Sequence, residues 1–159
     1  MIGHEQRPAR PRREPHGASS VSQGLCYRLA PMTAQHLVAA SGMVQATFGV
    51  LLGWVMAGFA DGRTALGPFR SRKRVLQCHL DNLFMGALQL GVAAVHAALP
   101  DGAAWCLLVG SWLNPQLFLW QAIDPTVDLG KGWRLVIVLG SFTAATAGWV
   151  WATASYLAS

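Results

Sequence analysis

Residues 35–60 read QHLVAASGMVQATFGVLLGWVMAGFA and hold no Asp, Glu, Lys or Arg. At ~1.5 Å per helical residue, a run of this length covers the ~30 Å hydrocarbon core of a bilayer. The pattern recurs three times downstream. Residues 75–100 hold one charge, Asp81, while 102–123 and 135–159 hold none. Only 12% of the 159 residues are charged and the mean hydropathy is +0.35, whereas a soluble domain is about a quarter charged. The sequence therefore predicts an all-α bundle of four transmembrane helices, up-down-up-down. The spans run over about 35–60, 76–98, 103–123 and 133–157. This pattern excludes a secreted disulfide scaffold, a nucleic-acid-binding domain and a wholly disordered chain.

The net charge is +5 and the pI about 9.7. The basic residues flank the apolar runs, so interfacial anchoring on anionic lipid accounts for them without nucleic acid. Loop 61–74, DGRTALGPFRSRKR, holds five of them. Positive-inside counting weights residues near helix ends, which places this loop and loop 124–132 on the inside. Cys26, Cys78 and Cys106 form no CxxC pair, which argues against thiol-redox chemistry.

Residues 1–32 are rich in Arg, Pro, Ser and Gly and lack an apolar period, so a disordered basic tail is expected. No apolar core follows the arginines, as a signal peptide would require. Thr33 is a candidate helix cap, and Met32 stands at the composition break as an alternative start. The four-helix domain is then 33–159. Gly49, Gly53 and Ala57 in span one, and Gly140, Ala144, Gly148 and Ala152 in span four, form small-residue ridges suited to close helix contact. These ridges predict an oligomer.

Span two carries the polar side chains His79, Asp81, Asn82, Gln89 and His96. On a helical wheel they occupy one half together with Met85 and Gly86, while Leu80, Leu83, Phe84, Ala87 and Leu90 occupy the other. Ionisable groups inside a membrane are costly and mark functional sites by default. His79 and Gly86 share a face two turns apart, which leaves room for a flat ligand. A neutral imidazole is a common axial ligand of haem iron. Arg72 lies about 10 Å upstream along the same face if the helix extends that far, a suitable position for a propionate. The bland reading of His79 is an interfacial histidine bonded to a carbonyl. In span three, Asn114 lies mid-membrane and Pro115 removes the N–H that would bond the carbonyl of Ser111. The bland reading of Asn114 is interhelical glue to Asp81 or Gln89.

The stretch 78–86, CHLDNLFMG, resembles the Ala-His-Leu-Glu-x-x-x-Asn-Gly motif of hydroxylaminobenzene mutases and the His-x5-Asn-Gly motif of styrene oxide isomerases. Trp112-Leu113-Asn114 is similar to the Trp-x-Asn of the latter family. Both families are small four-span membrane isomerases, and the likeness covers about residues 33–157. The resemblance implies a homotrimer in a bacterial cytoplasmic membrane that holds haem b through His79. It further implies a Lewis-acid rearrangement of a small aromatic epoxide or hydroxylaminoarene, without net redox change. His79 would then be the metal ligand, Gly86 and Arg72 would complete the cofactor site, and Asn114 and Asn82 would be the catalytic polar groups. Met85, Phe118 and Trp112 would line the substrate pocket, with Trp120 beside them.

Two positions depart from the isomerase pattern. The family asparagine is Met85 here and the family tyrosine is Phe118. Neither side chain can donate a hydrogen bond as its counterpart does, so haem binding carries over better than epoxide chemistry. Two other readings stand beside this one. Residues 74–82 also resemble the Arg-x-x-x-Ala-His-x-Asn-x-x-Glu motif of microsomal glutathione transferase-like proteins, without its glutamate. A non-catalytic haem-binding or packing subunit is the third reading.

Overall fold

The computed structural model describes residues 32–59 and 62–159. Apart from Met32, the tail expected to be disordered lies outside the described residues. The described chain is helical: α1 Ala34–Gly58, α2 Arg72–Val95, α3 Asp101–Ile123 and α4 Gly132–Leu157.

Three of the four, α1, α2 and α4, are long and apolar enough to cross a membrane; α3 is not. The expectation of four equivalent spans is corrected accordingly. Asn114, Pro115, Gln116, Gln121 and three tryptophans lower the apolar content of α3. Yet α3 is the most enclosed helix, with nine buried residues against three in α4. Ser111, Trp112 and Asn114 meet α1 and α2. By contrast, Trp54, Phe84, Val136 and Leu157 are each at least two-thirds exposed on the outside. Large outward apolar surface of this kind suits a membrane protein.

Capping sets the helix starts. Thr33 Oγ1 accepts from the backbone N–H of His36 at 3.3 Å, and Ser71 Oγ from that of Arg74 at 3.4 Å. Ser71 starts α2 one turn before the span expected from the charge gap. At its other end α2 stops at Val95, because His96 leaves helical geometry at φ −113°, ψ 83°. Between α1 and α2, Leu66 and Phe69 exchange backbone hydrogen bonds of 3.0 Å across a tight turn. In the loop after α3, the Asp124 carboxylate accepts from the Thr126 N–H and hydroxyl, which holds it below the usual carboxylate range.

The core has two apolar layers with a polar belt between them. One layer joins Val38, Ala93, Ala103, Leu107 and Ala152. The other joins Leu52, Phe59, Val75, Cys78 and Ala122. The belt is Gln45, Gln89 and Ser111, all at most 4% exposed. Gln45 Nε2 donates to the Ser111 carbonyl at 2.6 Å, the group that Pro115 leaves without a helical partner. Gln89 Nε2 donates to Gln45 Oε1 at 2.5 Å and to Ser111 Oγ at 2.7 Å. The belt thus ties α1, α2 and α3 together. Substituting Gln45→Leu removes one donor and one acceptor from it. We expect a loss of about 1–2 kcal/mol, read by denaturation in mild detergent. An unchanged midpoint would show that the belt contributes nothing to stability.

The small-residue ridges are largely consumed within the chain. A Cβ on Gly49 would come within 2.9 Å of Leu83, and one on Gly148 within 2.6 Å of the Leu107 backbone. Gly140 meets nothing within 4 Å. Gly49 and Gly148 are thus used for packing within the chain, while Gly140 leaves open space on α4.

Candidate functional site

α2 distributes its polar side chains to different neighbours. His79 is half-buried and turns toward α1, where its Nδ1 lies 2.7 Å from the carbonyl oxygen of Gly49. A carbonyl only accepts, so Nδ1 carries the proton and donates. That assignment leaves the lone pair on Nε2, and Nε2 has no hydrogen-bond partner among the described residues. The ring rests on Gly53, where an added Cβ would lie 3.2 Å from His79 Cε1. Gly49 and Gly53 thus form a cradle, one supplying a carbonyl and the other room. Their four-residue spacing serves helix contact at Gly49, which packs on Leu83 of α2, and the imidazole at Gly53.

Asp81 leaves α2 on roughly the opposite side, about 160° from His79. Its Oδ2 lies 3.5 Å from Asn114 Nδ2, a weak contact that matches the interhelical reading of Asn114. Within one chain Asn114 is therefore turned away from the His79 ring. Asn82 is fully buried, and its Nδ2 donates back to the Cys78 carbonyl at 2.8 Å and to its Sγ at 3.3 Å. Asn82 Oδ1 and Gln89 Oε1 are buried acceptors without a partner.

Two expectations about space around His79 change. Gly86 does not open room for a ligand: a Cβ there would lie 2.8 Å from the Gly42 carbonyl oxygen and the Ala46 nitrogen. Its missing side chain lets α1 and α2 touch backbone to backbone. The expected aromatic pocket is not assembled by Trp112, Phe118 and Trp120. Trp112 Nε1 donates to Ser41 Oγ of α1 at 2.8 Å. Phe118 lies under the Arg74 guanidinium, 5.8 Å from the ring centre. Trp120 stacks near Trp133 and Arg134. Met85 is half-buried on α2. Arg72 is exposed in the first turn of α2, so the helix does extend upstream as the propionate argument required. Arg74, half-buried and bonded to Gln77 Oε1 at 2.8 Å, is the more constrained arginine of that turn.

Among the described residues, no three or more His, Cys, Asp or Glu side chains come together to hold a metal ion. A metal at His79 would have to bring most of its own ligands, as a porphyrin does with its four nitrogens. The donor set fits that group. A neutral imidazole whose Nδ1–H is tied to a backbone carbonyl has its orientation fixed and its Nε2 basicity raised. Comparisons with protein-family models, curated proteins and solved structures gave no significant match.

Proposed function

We propose that the chain is a multi-pass protein of a bacterial cytoplasmic membrane that binds haem b through His79 and isomerises a small aromatic epoxide or hydroxylaminoarene. The observation that carries this reading is the His79 ring, held by Gly49 and Gly53 with Nε2 as its free base. The resemblance of residues 78–86 and 112–114 to the styrene oxide isomerase and hydroxylaminobenzene mutase motifs supplies the reaction class. In this reading the helices run up-down-up-down, with α3 packed against α1, α2 and α4.

The haem, when bound, supplies Lewis-acid polarisation of the substrate's oxygen, worth several kcal/mol in the transition state. The chain's own residues do the rest. His79 fixes the cofactor's orientation through its hydrogen bond to Gly49. Arg72, exposed at the headgroup level, offers charge to a propionate. Asn114 faces away from His79 within one chain, so it orients a substrate only across a subunit contact. A homotrimer is accordingly part of the reading rather than an addition to it. Asn82 donates to its own helix, and its buried Oδ1 is left without a donor.

Met85 and Phe118 stand where the family's hydrogen-bonding residues do, so turnover should be slow. Haem-loaded protein in nanodiscs is expected to convert styrene oxide or phenylhydroxylamine. Restoring the family residue by Phe118→Tyr or Met85→Asn should raise the rate about tenfold, the worth of one hydrogen bond at a developing charge. If haem-loaded wild type and both variants convert neither compound, the isomerase reading fails and a non-catalytic haem-binding subunit replaces it.

A further inference from the structure

His96 is buried, at 4% exposure, beyond the C-terminal end of α2. It lies seventeen residues after His79, about 25 Å farther along the helix direction. Its Nε2 lies 2.8 Å from Ser155 Oγ of α4. The Ser155 hydroxyl donates its single hydrogen to the Ala152 carbonyl at 3.0 Å, so toward His96 it accepts. Nε2 therefore carries the imidazole proton and Nδ1 carries the lone pair, the reverse of His79. No hydrogen-bond partner meets Nδ1 among the described residues.

His96 also lines a cleft of about 200 Å³, open on one side, between the ends of α2 and α4. The other walls are Val92, Val95, Trp149, Ala152, Thr153 and Tyr156. Tyr156 meets the imidazole edge to face, with ring centres 5.7 Å apart. The lining is mostly apolar, with aromatic rings and one unpaired base. A closed apolar cavity of about 150 Å³ accepts benzene; this half-open cleft of about 200 Å³ has room for a single substituted ring along its floor. A wall of this composition favours a ligand that is aromatic at one end and donates a hydrogen bond at the other.

We propose that this cleft is a binding site for a neutral monocyclic arene carrying a hydroxyl or amino group, whose donor bonds to His96 Nδ1. The site is independent of haem and of the reading of His79. An acyl chain would fill the volume but leave the His96 base unpaired, which disfavours it.

The test uses the full chain in nanodiscs, with 4-fluorophenol as probe and fluorine NMR as readout. 4-Fluorotoluene, equal in size but without the donor, is the control ligand. Thr153→Phe fills the cleft from its exposed edge, and His96→Phe keeps a ring but removes both nitrogens. The expected result is saturable 4-fluorophenol binding to wild type, about tenfold weaker with His96→Phe and lost with Thr153→Phe. 4-Fluorotoluene should bind wild type about tenfold more weakly, the cost of one missing hydrogen bond. Should His96→Phe fail to fold, the toluene control and Thr153→Phe decide the matter. Uptake equal to that of empty nanodiscs, which a lipid chain lodged in the cleft would also give, overturns the proposal. So does binding that Thr153→Phe leaves intact, or equal affinity for the two probes.

Discussion

His79→Ala should leave the purified protein without a Soret band, while His96→Ala should keep it. His79 lies in α2 and His96 just beyond its C-terminal end, and the two differ in what their nitrogens do. His79 Nδ1 donates to the Gly49 carbonyl, so Nε2, the outer nitrogen, is the base. His96 Nε2 is committed to Ser155, and its base is Nδ1, the nitrogen closer to the backbone. A planar macrocycle approaches Nε2 with less obstruction than Nδ1. No cluster of three or more metal-ligating side chains is present among the described residues to replace His79. Loss of the ligand proposed here should therefore abolish tight haem binding, a reduction well beyond the ten- to hundredfold typical of a supporting contact. Absorbance of the two variants, purified in the same detergent, checks this. A full Soret band in His79→Ala, or its loss in His96→Ala alone, would reverse the assignment.

The second large effect is expected at Gly86. A valine there would drive its Cβ to within 2.8 Å of the Gly42 carbonyl and the Ala46 nitrogen, both backbone atoms that cannot swing aside. α1 and α2 must separate, and their separation loosens the belt through Gln45 and Gln89. Overpacking of this kind costs about 1–3 kcal/mol, and more where backbone must move. Gly86→Val is thus expected to lower the thermal midpoint with or without haem present. Circular dichroism of the haem-free protein reads it. A haem-free midpoint equal to wild type, combined with loss of haem, would return Gly86 to the role of opening space for a ligand.

The four helices were legible because charge is excluded from apolar spans and clusters at their ends. The start of α2 was less so. Ser71 caps the helix inside the basic run 70–74, and charge counting reads such a run as loop. The enclosed character of α3 was hidden for a related reason. Hydropathy weighs Asn114, Gln116 and the tryptophans as if they met lipid, whereas Trp112 and Ser111 meet α1 and α2. One inference from chain chemistry alone carried through to atomic contact. Pro115 frees the Ser111 carbonyl, and Gln45 of α1 takes it. The site was legible only in part. A wheel placed His79 and Gly86 on one face, but it could not say that α1 covers that face. It gave no warning that Gly53 would cradle the imidazole. Side-chain contacts between helices depend on rotation and depth, and a single helix's periodicity contains neither. The aromatic residues of α3 show the same limit, since Trp112, Phe118 and Trp120 diverge to three different neighbours.

The central claim is that His79 holds haem b, and its most direct test is the haem content of the wild-type protein. The full chain is expressed in haem-replete cells, extracted gently and assayed as the pyridine haemochromogen against protein mass. The account predicts haem b approaching one per chain, with the red colour retained through gel filtration. Colourless protein that stays colourless after incubation with haemin would contradict it.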